Sequence, residues 1–481
     1  MADCAPTVGL AIIARNEEHY LPGLLESIQG AFDEVVLLDT GSTDETIAIF
    51  EAWAELDRHG VRTRVGRFEW CDDFAAARAA ADELLTTDWR SWADCDDQVV
   101  GADQLRAIAA SAPDEIGAFF FRYDYAQDPQ TGACICELWR ERLIRRDVGR
   151  WAGRVHESLD LGTSAAAQID PERCQWRHRK PPGEPPPRNL DILQAWAQDE
   201  PDNERVIGYL GVELAGRGRH EEALEAFGRY LVLHPQPDHH RLQTRRRMCA
   251  SLLALERHAE VPAIALAGIA EDPTWPESHL SLAEAAAGRG EWAKALDYAQ
   301  EVVRRGKPES FLILNPLDFT VAPLWIIATA HAGLGNVDEA CRVGERARQL
   351  QPGNPALIAQ LQHWRGLAKH EHSVATWLAA AQMLVQHDEQ LKALTLLEET
   401  VPFFVIDHPR IVQARGELRE RLAFVRDPDG YAELYRTGGE KPEALVPDRD
   451  VDRVCRALPR AGFLLTGLRE QDELASEAAA A

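Results

Sequence analysis

Residues 8–50 read VGLAIIARNEEHYLPGLLESIQGAFDEVVLLDTGSTDETIAIF, and the order of signals in this stretch decides the fold. Val8 to Ala14 is an apolar run of strand length, broken at Arg15-Asn16-Glu17-Glu18, and reads as a strand buried on both faces. Glu17 opens a predicted helix with an apolar face of Leu21, Leu24, Leu25 and Ile28, and Gly30 ends it. Val35 to Leu38 is a second buried strand, Asp39 to Ser42 its terminal turn, and Thr43-Asp44-Glu45 the acidic first turn of a helix carrying Ile47, Phe50 and Trp53. Strand, helix, strand, helix at this spacing predicts a βαβ unit with a parallel sheet.

A second acidic turn follows the apolar segment Trp89, Trp92, Ala93: Asp94-Cys95-Asp96-Asp97. Both acidic turns fall at C-terminal ends of predicted strands, where open α/β sheets bind ligands. Carboxylate oxygens there suit Mg²⁺ or Mn²⁺, and such an ion suits a diphosphate.

The strings IIARNEEHYLPGLLESI (12–28), FDEVVLLDTGSTDET (32–46), FEWCDDFAAARAAADELLTTDWRSWADCDD (68–97) and GRWAGRVHESL (149–159) together resemble a family 2 glycosyltransferase of GT-A fold. The narrower resemblance, over roughly residues 7–160, is to the bacterial subgroup fused to tetratricopeptide repeats, which includes S-glycosyltransferases of bacteriocin peptides. It implies inverting transfer of a sugar from a nucleotide-sugar, with a UDP-sugar the first expectation, and Mn²⁺ or Mg²⁺ as cofactor. Carried over residue by residue, it implies that Asn16, Glu17 and Asp39 hold the nucleoside and that Arg78 contacts base or diphosphate. Asp94 faces the ribose or the metal, Asp96 binds the metal, and His156 in Arg154-Val155-His156-Glu157 completes the metal shell. Three positions depart from the family pattern: Ala79 stands where Asn usually follows the arginine, Cys95 is the spacer between the two aspartates, and Asp97 replaces a more frequent Glu.

Each motif also has a plainer reading. Asp39 with Gly41-Ser42 makes an ordinary turn and helix cap, Asp94 to Asp97 a solvated loop, and His156 a structural histidine. The base that inverting displacement requires is left open among Asp97, Glu137 and Glu157. Trp139, near Glu137, could stack on a sugar or the acceptor, and the run Arg140, Arg142, Arg145, Arg146, Arg150, Arg154 is either a diphosphate counterion or a solvated face.

The chain has 481 residues, room for two or three domains, and a formal charge of −26, which argues against nucleic acid as a partner. Nine cysteines without a CxxC pair point to reduced thiols, and Cys134 and Cys136 to packing on a strand. With no leader and no apolar run near twenty residues, the expectation is a cytoplasmic protein without membrane contact.

From Arg188 the strand signals vanish. Leu210-Gly211, Ala223, Phe227 and Pro235 fit a tetratricopeptide unit, and a twelve-residue separation of small residues recurs at Ala283/Ala295, Ala328/Ala340 and Ala381/Ala393. A degenerate unit spans 242–275, and Pro352 closes the unit of Ala328 and Ala340. The expected organisation is a GT-A domain over 1–180, a Pro-rich linker over 181–187, all-α repeats over 188–425 and an unassigned tail over 426–481. The repeats are expected to present a peptide or protein acceptor, with scaffolding or homo-oligomer formation as the plainer role. Alternatives are a modified nucleobase or glycan acceptor, or an inactive repeat adaptor.

Overall fold

A computed structural model describes residues 5–56, 60–179 and 187–426. The expected strands are present as β1 (Val8–Ala14) and β2 (Glu34–Asp39), with α1 (Leu21–Ser27) between them and α2 (Thr46–Leu56) after. The first helix starts later than Glu17. Asn16 takes a φ of 57°, and the Glu17 carbonyl accepts the N–H groups of Tyr20 at 3.1 Å and Leu21 at 2.9 Å, which closes a turn first. Pro22, with no N–H to donate, then stands in the first turn of α1.

The domain continues as β3 (Arg62–Arg67), α3 (Phe74–Glu83), β4 (Trp89–Asp94), β5 (Asp97–Val100), α4 (Leu105–Ala110), β6 (Ile116–Gln127) and β7 (Cys134–Arg145). It closes with β8 (Arg150–Ala152), β9 (Ser158–Asp160), β10 (Ala165–Gln168) and β11 (Gln175–His178). The sheet order is β3-β2-β1-β4-β7-β6-β11-β5, with β10 beside β6 and β8-β9 a separate ribbon. β3, β2, β1 and β4 are parallel, whereas β7 runs antiparallel to β4 and β6. Leu10, Ile12, Val35 and Leu37 pack one face of the sheet against Leu21, Leu24 and Leu25. Ala11, Val36 and Leu38 pack the other against Ala81 and Leu85. Burial on both faces accounts for the unbroken apolar runs.

The proposed linker lies outside the described residues except for Pro187, which already begins α5 (Pro187–Asp199). Helical hairpins follow: α6 (Glu204–Gly216) with α7 (His220–Leu233), α8 (His239–Ala254) with α9 (Val261–Glu271), α10 (Pro276–Gly288) with α11 (Trp292–Arg305), and α12 (Val321–Gly333) with α13 (Val337–Leu350). The small residues read from the spacing stand at the helix crossings: Ala223, Ala283, Ala295, Ala328 and Ala340 are fully buried. Gly211 faces Phe227 so closely that a Cβ there would lie 2.6 Å from the ring. The degenerate unit is the α8/α9 hairpin.

Residues up to Leu361 form one compact unit, and residues from Gln362 a second. The second contains the remainder of α14 (Pro355–Gln386), α15 (Gln390–Thr395), α16 (Phe403–Ile406) and α17 (Pro409–Arg426). Its core joins Trp377, Ala381, Ala393 and Leu397. The tail after 426 lies outside the described residues. Among the described residues no helix is long and apolar enough to cross a membrane.

Candidate functional site

Strand register fixes the site. Ala14 on β1 is opposite Asp39 on β2, and Ile13 is opposite Asp94 on β4, so the acidic ends of β2 and β4 flank the Asn16-Glu17 turn at one sheet edge. Asp39 accepts the Ser42 N–H at 2.9 Å and the Gly41 N–H at 3.2 Å. Asn16 Oδ1 accepts the Thr43 N–H at 2.7 Å, and its own N–H donates to Ser42 Oγ at 3.1 Å. The Glu17 N–H donates to Thr46 Oγ1 at 2.7 Å. The two loops therefore hold each other in place.

Asp73 caps α3 by accepting the Ala76 N–H, which aims Arg78 inward. Arg78 is 5 % exposed. Its Nη2 donates to Asp94 Oδ1 at 2.7 Å and its Nε to Glu157 Oε1 at 2.6 Å. The guanidinium lies over Trp92 at 4.1 Å and near Trp151 at 5.4 Å. Burial alone would lower its pKa, but Asp94 and Glu157 outweigh that and raise it. Burial likewise disfavours the ionised carboxylates of Asp94 and Glu157, and Arg78 overrides it, holding both pKa values below the usual range. Arg78 thus ties the β4 end to the His156-Glu157 loop. A role at the donor runs through the two carboxylates it orients.

Asp96, Asp97 and His178 offer ligand atoms that all lie within 4.8 Å of one another. His178 Nδ1 is 3.3 Å from Asp96 and 3.9 Å from Asp97, and its ring stacks on Tyr125 at 5.1 Å. Burial pushes the imidazole pKa down, but hydrogen bonds with Asp96 and Asp97 lift it to about 9. Asp97 is 1 % exposed. Its Oδ2 accepts the Asp94 N–H at 3.0 Å and pairs with Arg142 at 3.2 Å. Its Oδ1 accepts the Tyr123 hydroxyl at 2.5 Å. Arg142 is fully buried between Trp92 at 3.5 Å and Trp176 at 4.6 Å.

His156 is held elsewhere. Its φ is 53°, its Nε2 is 3.1 Å from Glu213 Oε1 on α6, and its ring stacks on Tyr209 at 4.6 Å. Glu137 on β7 pairs with Arg122 at 3.2 Å and with Lys307. Its backbone exchanges hydrogen bonds with Leu314 at 2.8 and 2.9 Å. Asp97, Glu137 and Glu157, the three candidate bases, are each ion-paired. The structure gathers Asp94, Asp96, Asp97, Arg78 and Glu157 into one network, while His156 and Glu137 face residues of the repeats.

The arginine run divides: Arg146 and Arg150 are exposed, whereas the arginines of β7 are covered by tryptophan. Arg140 and Arg142 are wedged against Trp92, and Arg145 lies over Trp89 at 4.6 Å and donates to the Ile116 carbonyl. Cys134 and Cys136 are free thiols on β7. His178, Tyr123 and Glu213 were not visible as site residues. His178, in Gln175-Trp176-Arg177-His178, carries no motif, and Glu213 lies in a repeat. Hard oxygens with one imidazole fit Mn²⁺ or Mg²⁺, and Asp96 is the carboxylate in this group with the fewest commitments. A second trio, Asp124, Cys134 and Glu137, comes equally close together, but Arg122 already bonds both of its carboxylates.

Residues 10–131 match the model of the glycosyl transferase family 2. The sheet domain thus contains a segment similar to family 2 glycosyltransferases, ahead of the helical hairpins. It is similar to a TPR repeat-containing protein of Synechococcus elongatus, 29 % identical over 48 % of this chain and 49 % of the relative. It is also similar to the SPbeta prophage-derived glycosyltransferase SunS of Bacillus subtilis, 24 % identical over 46 % of this chain and 52 % of the relative. The chain spans about half the length of these curated relatives. Among solved structures, MamA of Desulfovibrio magneticus shares 17 % identity over 34 % of this chain and 85 % of that one, with a TM-score of 0.28.

Proposed function

We propose that the chain is a metal-dependent, inverting glycosyltransferase that moves a sugar from a nucleotide-sugar to a peptide or protein acceptor presented by the repeats. The observation that carries this reading is the register that brings Asn16, Glu17, Asp39 and Asp94 to one sheet edge, inside the segment that matches family 2. In this reading Asn16, Glu17 and Asp39 face the nucleoside, and Asp94 and Asp96 with a histidine, His156 or His178, hold the ion. That ion would neutralise the diphosphate as it leaves. Asp97, with both oxygens committed, shapes the Asp94–Asp96 turn, and the base is sought in Glu157 or Glu137. The acceptor assignment is supported by the hairpins that pack directly against the sheet domain, since stacked repeats offer a concave surface suited to peptide.

Incubating the full chain with UDP-, GDP- and dTDP-sugars and Mn²⁺, and measuring free nucleotide, tests the reading. Release from one donor, abolished by EDTA, is the expected result. No release from any donor, with or without a peptide acceptor, would sink it.

A further inference from the structure

The strained backbone of His156 draws together three contacts from a single repeat helix. A non-glycine residue in the left-handed region, here at a φ of 53°, is strained and persists only where its surroundings over-determine it. α6 supplies those surroundings. Arg205 Nη2 donates to the His156 carbonyl at 2.6 Å, Tyr209 stacks on the imidazole at 4.6 Å and 16°, and Glu213 meets Nε2 at 3.1 Å. Their spacing of four residues puts all three on one face of the helix. Glu213 is buried. A carboxylate can only accept, so Nε2 donates to it, and in the neutral imidazole this leaves the lone pair on Nδ1. The two ring nitrogens diverge, so tying Nε2 to α6 turns Nδ1 away from the repeats. No hydrogen bond reaches Nδ1 among the described residues. The residue after His156 is Glu157, whose side chain is locked through Arg78 to Asp94. The loop is thus clamped from the sheet side at Glu157 and from the repeat side at His156.

We infer that Glu213 and Tyr209 of the first repeat are positioning residues for the donor site, fixing the tautomer and orientation of His156 so that Nδ1 faces the nucleotide diphosphate and its cation. This rests on the donor-site reading above. It makes the first repeat a part of the active site as well as a docking module. A carboxylate behind a histidine is the arrangement that sets which nitrogen is available to a cation, and its loss costs about 10–100-fold in affinity.

The test uses the full chain and two readouts. Imidazole ¹⁵N shifts report the His156 tautomer, and calorimetry reports the binding of UDP, GDP and dTDP with Mn²⁺. In the native chain His156 should show a single Nε2-protonated form. In Glu213→Ala the tautomers should mix and nucleotide with Mn²⁺ should bind about 10–100-fold more weakly, while Glu213→Gln, whose amide oxygen still accepts, restores both within a few-fold. Tyr209→Leu should broaden the His156 signals and weaken binding in the same direction, and stands in if Glu213→Ala does not fold. An unchanged tautomer, or unchanged affinity in a folded Glu213→Ala, overturns the inference while leaving the glycosyltransferase reading intact. If the native chain binds none of the three nucleotides, the donor reading fails instead, and the tautomer shift alone decides whether α6 positions His156.

Discussion

The sheet domain and the repeats both bury arginine, to different ends. At the sheet edge Arg78 and Arg142 lie between tryptophans and hold Asp94, Glu157 and Asp97, so the charge orients loops. In the repeats Arg241 and Arg245 share Glu271 at 3.0 and 2.5 Å, and Arg246 reaches Asp318 at 3.2 Å, so the charge ties one helix to another. Removing a repeat pair should loosen packing locally. Removing a sheet-edge pair should disturb the geometry of the site, because an unpaired buried carboxylate is left beside it.

The largest effect is expected at Arg142. Arg142→Met leaves buried Asp97 without its guanidinium partner and should cost about 3–5 kcal/mol, seen as a lower urea midpoint together with loss of nucleotide release. If the midpoint holds, the aromatic cage and not the ion pair supports the turn. Next, Asp96→Asn should slow nucleotide release roughly 100-fold while the chain stays folded, with a modestly lower midpoint because His178 loses its partner. Full activity in that variant, or in excess EDTA, would remove Asp96 from the reaction.

On the repeat side Gly211→Val should push the Phe227 ring off α6 and destabilise by about 1–3 kcal/mol. Phe227→Leu should recover part of that loss in the double variant. Failure to recover would mean that the α6/α7 crossing is not set by this contact.

The smallest effect is pH-dependent. Burial raises the Glu277 carboxyl to about 6, against the pull of Arg246. The folded chain therefore holds a proton that the unfolded chain releases near 4.5, so this group favours folding below that pH and loses its contribution as pH rises through 6. Glu277→Gln should flatten that part of the stability profile and stabilise at pH 7 by up to about 2 kcal/mol. A profile identical to the native one would show that the Trp275 hydrogen bond to Glu277 compensates its ionised form.

The two regions also differ in how far they could be read from sequence. The hairpins were legible because their determinants are local and periodic: Ala283 and Ala295, or Ala328 and Ala340, recur at one spacing wherever two helices cross. β1, β2 and the acidic ends of β2 and β4 were legible for a similar reason, as short apolar runs with sharp polar ends. The partners in the site were not. His178 meets Asp96 only because β11 pairs with β5, and Glu213 meets His156 across 57 residues, pairings that no local pattern encodes. The arginines of β7 misled because a charged run looks the same in sequence whether water or tryptophan covers it.

The repeats grip the sheet domain at three separate heights. Arg205 holds the His156 carbonyl, Leu314 pairs with Glu137, and Gln351 donates to Thr131 Oγ1 at 3.2 Å. A solenoid normally lengthens by tandem duplication, because each unit meets only its neighbours. Here the stretch between the first and last grips is measured against a rigid sheet. Duplicating a hairpin between 205 and 351 would carry the later grips out of reach of Glu137 and Thr131. Evolution of the array is thus confined to substitution in that interval, and growth by added units is open only beyond its last grip.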